Sequence, residues 1–265
     1  MNTLDQKMQS ILAKGEKLLV SGIPIGYPNL DETRKIADIY LESGIDIAEF
    51  SMPSHDPYID SEIIAKSNIK ALNLEPDYDK YFDTLFKIRS NYPEEPFYMM
   101  AYANYIKPYG LENFVRTIKE LDISGVELPD RDELDPDFNN EFTHLLNEVG
   151  IYRIYILHDP FDENALVALK EKIKGFVILQ AACDPQGKRE KVQTENKAII
   201  QKIKDAGVKV PIILGYGIRD SERVKEAVGM GADGALVGTA MIEQITTGNY
   251  KAFADFIRSL KDATR

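Results

Sequence analysis

Eight short apolar runs, each followed by a longer stretch of helical period, repeat from Lys17 to the C-terminus, and this alternation leaves the chain few folds to choose from. The runs are KLLVSGI (Lys17 to Ile23), IDIAEF (Ile45 to Phe50), PFYMMAY (Pro96 to Tyr102), GVELP (Gly125 to Pro129), YRIYIL (Tyr152 to Leu157), GFVILQAA (Gly175 to Ala182), PIILGYG (Pro211 to Gly217) and GALVGTA (Gly234 to Ala240). Most are continuously apolar rather than alternating, as strands are when both faces of their sheet are covered. Between them, DETRKIADIYLESG begins on acidic residues and stops at Gly44, TENKAIIQKIKDAG stops at Gly207, and YKAFADFIRSLKDA places Phe253, Phe256, Ile257 and Leu260 on one side. Parallel strands with crossover helices follow, and eight such units make a TIM (β/α)8 barrel.

The 265 residues suit this reading, since such barrels commonly run to about 250 residues as one domain. No Pro/Gly/Ser-rich linker or low-complexity tract divides the chain, so residues 1–265 are expected to form a single domain. Ahead of the first run, Thr3 and Gln6 have capping-box spacing and Met8, Ile11 and Leu12 share a face, which predicts an extra N-terminal helix.

A formal net charge of -11, with no long basic run, disfavours nucleic acid and anionic membranes as partners. A small anionic ligand remains compatible, because backbone N–H groups at a helix start bind phosphate locally. The single cysteine, Cys183, forms no internal disulfide, no signal-peptide core opens the chain and no run of about 18 apolar residues occurs, so the expected location is the cytoplasm. No pair of histidines among His55, His144 and His158 has metal-ligand spacing, so no metal site is expected.

The two loosest segments, Ser51 to Glu62 and Cys183 to Lys191, directly follow strands and so belong to the C-terminal face, where barrels build active sites. Glu49 sits near the end of an apolar strand, where a carboxylate must be paired or have a shifted pKa. The competing reading turns it outward to a helix or pairs it with a lysine. Asp60 lies in the loop beyond, with an N-cap role for the helix starting at SEIIAKSNIKAL as its competitor. GYGIRDSERV and GALVGTAMI each run from strand to helix through glycine; Gly217 and Gly238 allow close approach of an oxyanion, the helix start adds its dipole and Thr239 a hydroxyl.

AEFSMPSHDPYID resembles the tryptophan synthase alpha chain signature at Glu49, Pro53, Asp56, Pro57 and Asp60. The resemblance extends in order to GYP (Gly26 to Pro28), YAN (Tyr102 to Asn104), PD (Pro129 and Asp130), GYGI (Gly215 to Ile218) and GADGALVGTAMI (Gly231 to Ile242), essentially the whole chain. It implies a lyase that cleaves indole-3-glycerol phosphate to indole and glyceraldehyde 3-phosphate by retro-aldol chemistry in tryptophan biosynthesis. Glu49 is then the proton-shuttling acid/base and Asp60 the acceptor of the indole N–H. Tyr102 orients the side-chain hydroxyls, and Gly217, Ile218, Gly238 and Thr239 hold the phosphate. The resemblance also implies a heterotetramer with a β subunit that carries pyridoxal phosphate, contacted through Asp56, Pro57 and Asn104, while this chain itself needs no cofactor.

The sequence departs from that pattern at named positions. AACDPQGKRE replaces a Ser/Gly/Thr-rich sixth loop and puts Asp184 where a phosphate-binding glycine is expected, with Gly187, Lys188 or Arg189 as replacements. Ser61 and Glu62 stand for Gly-Pro, Glu127 falls on an expected apolar indole wall, and Gly22 and Pro24 replace bulkier or polar lining residues. These changes keep open another phosphorylated substrate, or a chain acting mainly by activating its partner.

Overall fold

The computed structural model describes residues 2–130, 134–158, 166, 170–181 and 193–265. The strands are β1 (Leu18–Pro24), β2 (Ile47–Ser51), β3 (Phe97–Met100), β4 (Gly125–Glu127), β5 (Tyr152–His158), β6 (Val177–Gln180), β7 (Ile212–Gly215) and β8 (Gly234–Val237). Neighbours in sequence pair in parallel, and β8 returns to β1 to close the sheet. The expected TIM barrel is therefore present, with each strand falling inside or within two residues of its apolar run.

Period-two alternation divides the barrel wall into an inner and an outer layer. Leu18, Val20, Ile47, Tyr98, Ile154, Ile178 and Ile213 form an inner cluster, while Leu19, Ile23, Ala48, Phe50, Phe97 and Met99 pack outward against the helices. Helix α1 (Thr3–Leu12) adds Leu4, Met8 and Ile11 to the inner cluster and so closes the floor of the barrel. Its cap differs from the expected Thr3/Gln6 box. Asn2 accepts from the Leu4 N–H, while the Thr3 hydroxyl is drawn into a tertiary bond with Ser124 Oγ at 2.5 Å.

The crossover helix α2 (Leu30–Glu42) shows why these segments fold as they do. Asn29 caps it by accepting from the Glu32 N–H, and Thr33, Ile36, Ala37 and Tyr40 form its buried stripe. At the barrel floor, Lys261 of the C-terminal helix (Tyr250–Asp262) reaches Asp46 Oδ2 at 2.9 Å, and the same oxygen accepts from the Leu19 N–H. Among the described residues, no helix is long and apolar enough to cross a membrane.

Candidate active site

The alternation that puts Ile47 inside the barrel also puts Glu49 and Ser51 on the inner face, two and four residues further along β2. The same step carries Val20 to Gly22 and Pro24, Gly125 to Glu127, and Leu236 to Gly238. All these later residues line one cavity of about 390 Å³, together with Asp60, Ser61, Gly217, Ile218 and Thr239. Its volume is that of a small-molecule site.

Glu49 is 7% exposed and turned inward, not toward a lysine. Ser51 Oγ donates to its Oε1 at 2.6 Å, and the Tyr98 hydroxyl donates to its Oε2 at 2.5 Å. Burial raises its pKa, and the two hydroxyl donors oppose that by stabilising the ionised form. Gly22 makes room for it: a Cβ at that position would stand 2.6 Å from Oε1.

Asp60 does not cap the next helix, α3 (Glu62–Leu74); Ser61 holds the N-cap position without a side-chain bond. Instead Asp60 Oδ2 accepts from the Tyr102 hydroxyl at 2.8 Å. Burial, with a smaller push from the charge of Glu49, lifts the Asp60 pKa to about 7, against the Tyr102 hydrogen bond that lowers it. Tyr102 is fully buried behind Asp60 and is not among the residues lining the cavity. Ser61 Oγ and Thr239 Oγ1 lie 3.0 Å apart, which ties the β2 loop to the start of the helix after β8 at the cavity mouth.

After β7 the chain turns through two successive left-handed residues, Tyr216 at φ 67° and Gly217 at φ 79°. Glycine is suited to the second position, and Arg223 Nη1 anchors the turn by donating to the Gly217 carbonyl at 3.0 Å. Gly238 precedes the helix Thr239–Thr246, and a Cβ there would have Ile64 Cδ1, 4.0 Å away, as its nearest neighbour. That leaves open space in front of a helix N-terminus, the environment that favours an oxyanion. Arg219 lines the same cavity and pairs with Glu243 Oε1 at 2.7 Å.

Glu49, Asp60, Gly217, Ile218, Gly238 and Thr239 thus come together from four separate segments. Asp184, Gly187, Lys188 and Arg189, like Cys183, lie outside the described residues. Sequence reasoning missed Ser51, Tyr98, Ser61 and Arg219. Ser51 was findable from its i+2 spacing to Glu49, whereas Tyr98 depends on strand register, which pairs it with Glu49. His55 is exposed, His144 pairs with Glu148 on its own helix, and His158 Nδ1 meets Gln180 Oε1 at 2.8 Å. Among the described residues no group of His, Cys, Asp and Glu could hold a metal ion.

A closed barrel with inward carboxylates at the C-terminal ends of its strands defines a (β/α)8-barrel enzyme equipped for acid/base chemistry. The family model for the tryptophan synthase alpha chain matches residues 8–263. The tryptophan synthase alpha chain of Methanocaldococcus jannaschii is 32% identical over 242 residues, covering 91% of this chain and 83% of that one. That of Christiangramia forsetii is 29% identical over 265 residues, covering 100% of both. The tryptophan synthase subunit alpha from Legionella pneumophila has the same fold, with a TM-score of 0.88 at 23% identity over 100% of this chain and 98% of that one. This chain belongs to the tryptophan synthase alpha chain family, whose members are carbon–carbon lyases that pair with a β subunit.

Proposed function

We propose that Glu49 and Asp60 divide between them the retro-aldol cleavage of indole-3-glycerol phosphate, the step of tryptophan biosynthesis that this lyase performs. Breaking the C–C bond requires a proton on the indole ring carbon, loss of a proton from the adjacent side-chain hydroxyl, and stabilisation of positive character on the ring nitrogen. Glu49 moves the proton. Its raised pKa suits a group that must both give and take one, and Ser51 and Tyr98 hold its two oxygens in place. Asp60, on the loop, accepts the indole N–H as the ring becomes cationic. The single observation that carries this reading is the convergence of both carboxylates on a cavity whose other side is Gly217, Ile218, Gly238 and Thr239.

Those four residues cradle the phosphate. Tyr102 acts through Asp60, holding its Oδ2, rather than on the substrate hydroxyls. Residues 1–265 work as one domain, since strands from both ends of the chain meet in the same ring and supply the same cavity.

The β subunit docks on the β2 loop. Asn104 braces that loop by donating to the Asp56 carbonyl at 3.2 Å and accepting from Ser54 Oγ at 3.0 Å; Asp56 is exposed, and Tyr58 is a large hydrophobic residue that is 49% exposed. Pyridoxal phosphate belongs to that partner, and the assembly is a heterotetramer.

Indole release from indole-3-glycerol phosphate by the purified chain, alone and with a cognate β subunit, tests the reading. Glu49→Gln and Asp60→Asn are expected to lower turnover by about 10²–10⁴-fold each while retaining the fold. Full activity in either variant would remove that residue from its role, and unchanged gel-filtration profiles on mixing with the β subunit would remove the partner surface.

A further inference from the structure

A third carboxyl in the cavity, that of Glu127, has no part in the division of labour above. It faces inward at the C-terminal end of β4, two residues beyond Gly125, is 4% exposed, and its Oε2 has no hydrogen-bond partner among the described residues. The charged groups acting on it are Glu49 from β2 and Asp60 from the loop that follows, and its own charge in turn raises the pKa of the Tyr98 hydroxyl on β3. On the other neighbouring strand, β5, Arg153 is engaged with Asn139 and Thr143 of the helix Pro136–Val149. Burial first, then the charges of Glu49 and Asp60, push the Glu127 pKa up, which favours the neutral acid, a form with both a donor and an acceptor. A buried polar atom without a partner beside a ligand cavity is one that a ligand can complete.

The place of β4 in the ring says which part of a ligand arrives there. Counted either way round the closed sheet, β4 is four strands from β8 and therefore opposite Gly238 and Thr239. If the phosphate sits at that cradle and the scissile bond at Glu49, as proposed above, the aromatic ring is the part that extends toward β4. The six-membered edge of plain indole offers only C–H groups, whereas a hydroxyl or amino substituent matches a neutral carboxyl in both directions.

We propose that Glu127 is a specificity-determining residue that hydrogen-bonds a polar substituent on the six-membered edge of the ring, giving this chain a preference for hydroxy- or amino-substituted indoles over methyl-substituted ones. The inference rests on the orientation given under the proposed function.

The test uses the reverse reaction, in which indole and glyceraldehyde 3-phosphate condense: the C–C bond forms, ring carbon 3 loses its proton and the aldehyde oxygen gains one. Consumption of indole and of hydroxy- and methylindoles substituted at each benzo position is measured with the intact chain and with Glu127→Leu and Glu127→Gln. At one position or more, the hydroxy/methyl ratio of kcat/KM should be about tenfold or higher in the unmodified chain, fall below about one in Glu127→Leu, and lie between in Glu127→Gln. A ratio compares two substrates on the same molecules, so loss of folded protein does not move it. If Glu127→Leu does not fold, Glu127→Gln alone must shift the ratio. Consumption of indole with the same ratio in all forms overturns this inference and leaves the lyase reading standing. No consumption of any indole by the unmodified chain, together with no cleavage of indole-3-glycerol phosphate, overturns both.

Discussion

The Tyr102 hydroxyl donates to Asp60 Oδ2 at 2.8 Å, so a residue just beyond the third strand holds a carboxylate carried by the loop after the second. A hydrogen bond to the ionised form lowers a carboxyl pKa, and this one opposes the burial that lifts Asp60 to about 7. If Asp60 works ionised, kcat/KM falls by about tenfold per unit as pH drops below about 7. Tyr102→Phe removes the donor and should move that limb to higher pH, with kcat reduced less than in Asp60→Asn. A pH–rate profile in which the limb of Tyr102→Phe stays in place would separate the two residues.

The same shift has a consequence for stability with a definite sign. The Asp60 pKa in the folded chain lies above its ordinary value of 3.8, so the stability this group allows is fully present below 3.8 and is lost as pH rises toward and through about 7. Asp60→Asn carries no charge and escapes that loss. Because Asp60 is partly open to the cavity, its gain over the unmodified chain should be about 1–2 kcal/mol at pH 8, shrinking as pH falls toward 5, as read from denaturant melts.

Gly22→Ala should disable the site from the neighbouring strand. The new Cβ would stand 2.6 Å from Glu49 Oε1 and 2.9 Å from Oε2, so the carboxylate must shift. A displacement on the order of 1 Å costs about 10²-fold in rate. Steady-state kcat, alongside an unchanged far-UV circular dichroism spectrum, checks it.

Ser61 and Thr239 join the β2 loop to the helix that begins behind Gly238. Thr239→Val removes one hydroxyl of the pair and a donor beside the proposed phosphate cradle, whereas Ser61→Ala removes only the tie. KM should rise by about tenfold in Thr239→Val and less in Ser61→Ala, with Thr239→Ser close to the unmodified chain. Inorganic phosphate, tested as a competitive inhibitor, should lose affinity in the same order.

The floor of the barrel should tolerate loss of its cation poorly. Lys261→Met leaves Asp46 buried and without its ammonium partner, at a cost of about 3–5 kcal/mol. Adding Asp46→Asn, which keeps an acceptor for the Leu19 N–H, should recover part of that loss in thermal melts.

The sequence by itself determined the strand count, the parallel closed sheet and the position of the Ser51 to Glu62 loop at the mouth, because each rests on local hydrophobic periodicity that survives in one dimension. It also singled out Glu49, whose place in an apolar run is anomalous without any structure. Register and closure decided the rest. The pairing of Glu49 with Tyr98, the clearance at Gly22, and the capture of Asp60 by Tyr102 rather than by the helix it precedes all join residues on different strands or loops. Such contacts depend on how far one strand is displaced along its neighbour, a quantity to which no single strand's sequence responds, so only the folded barrel could set the environment in which these carboxyls hold or release their protons.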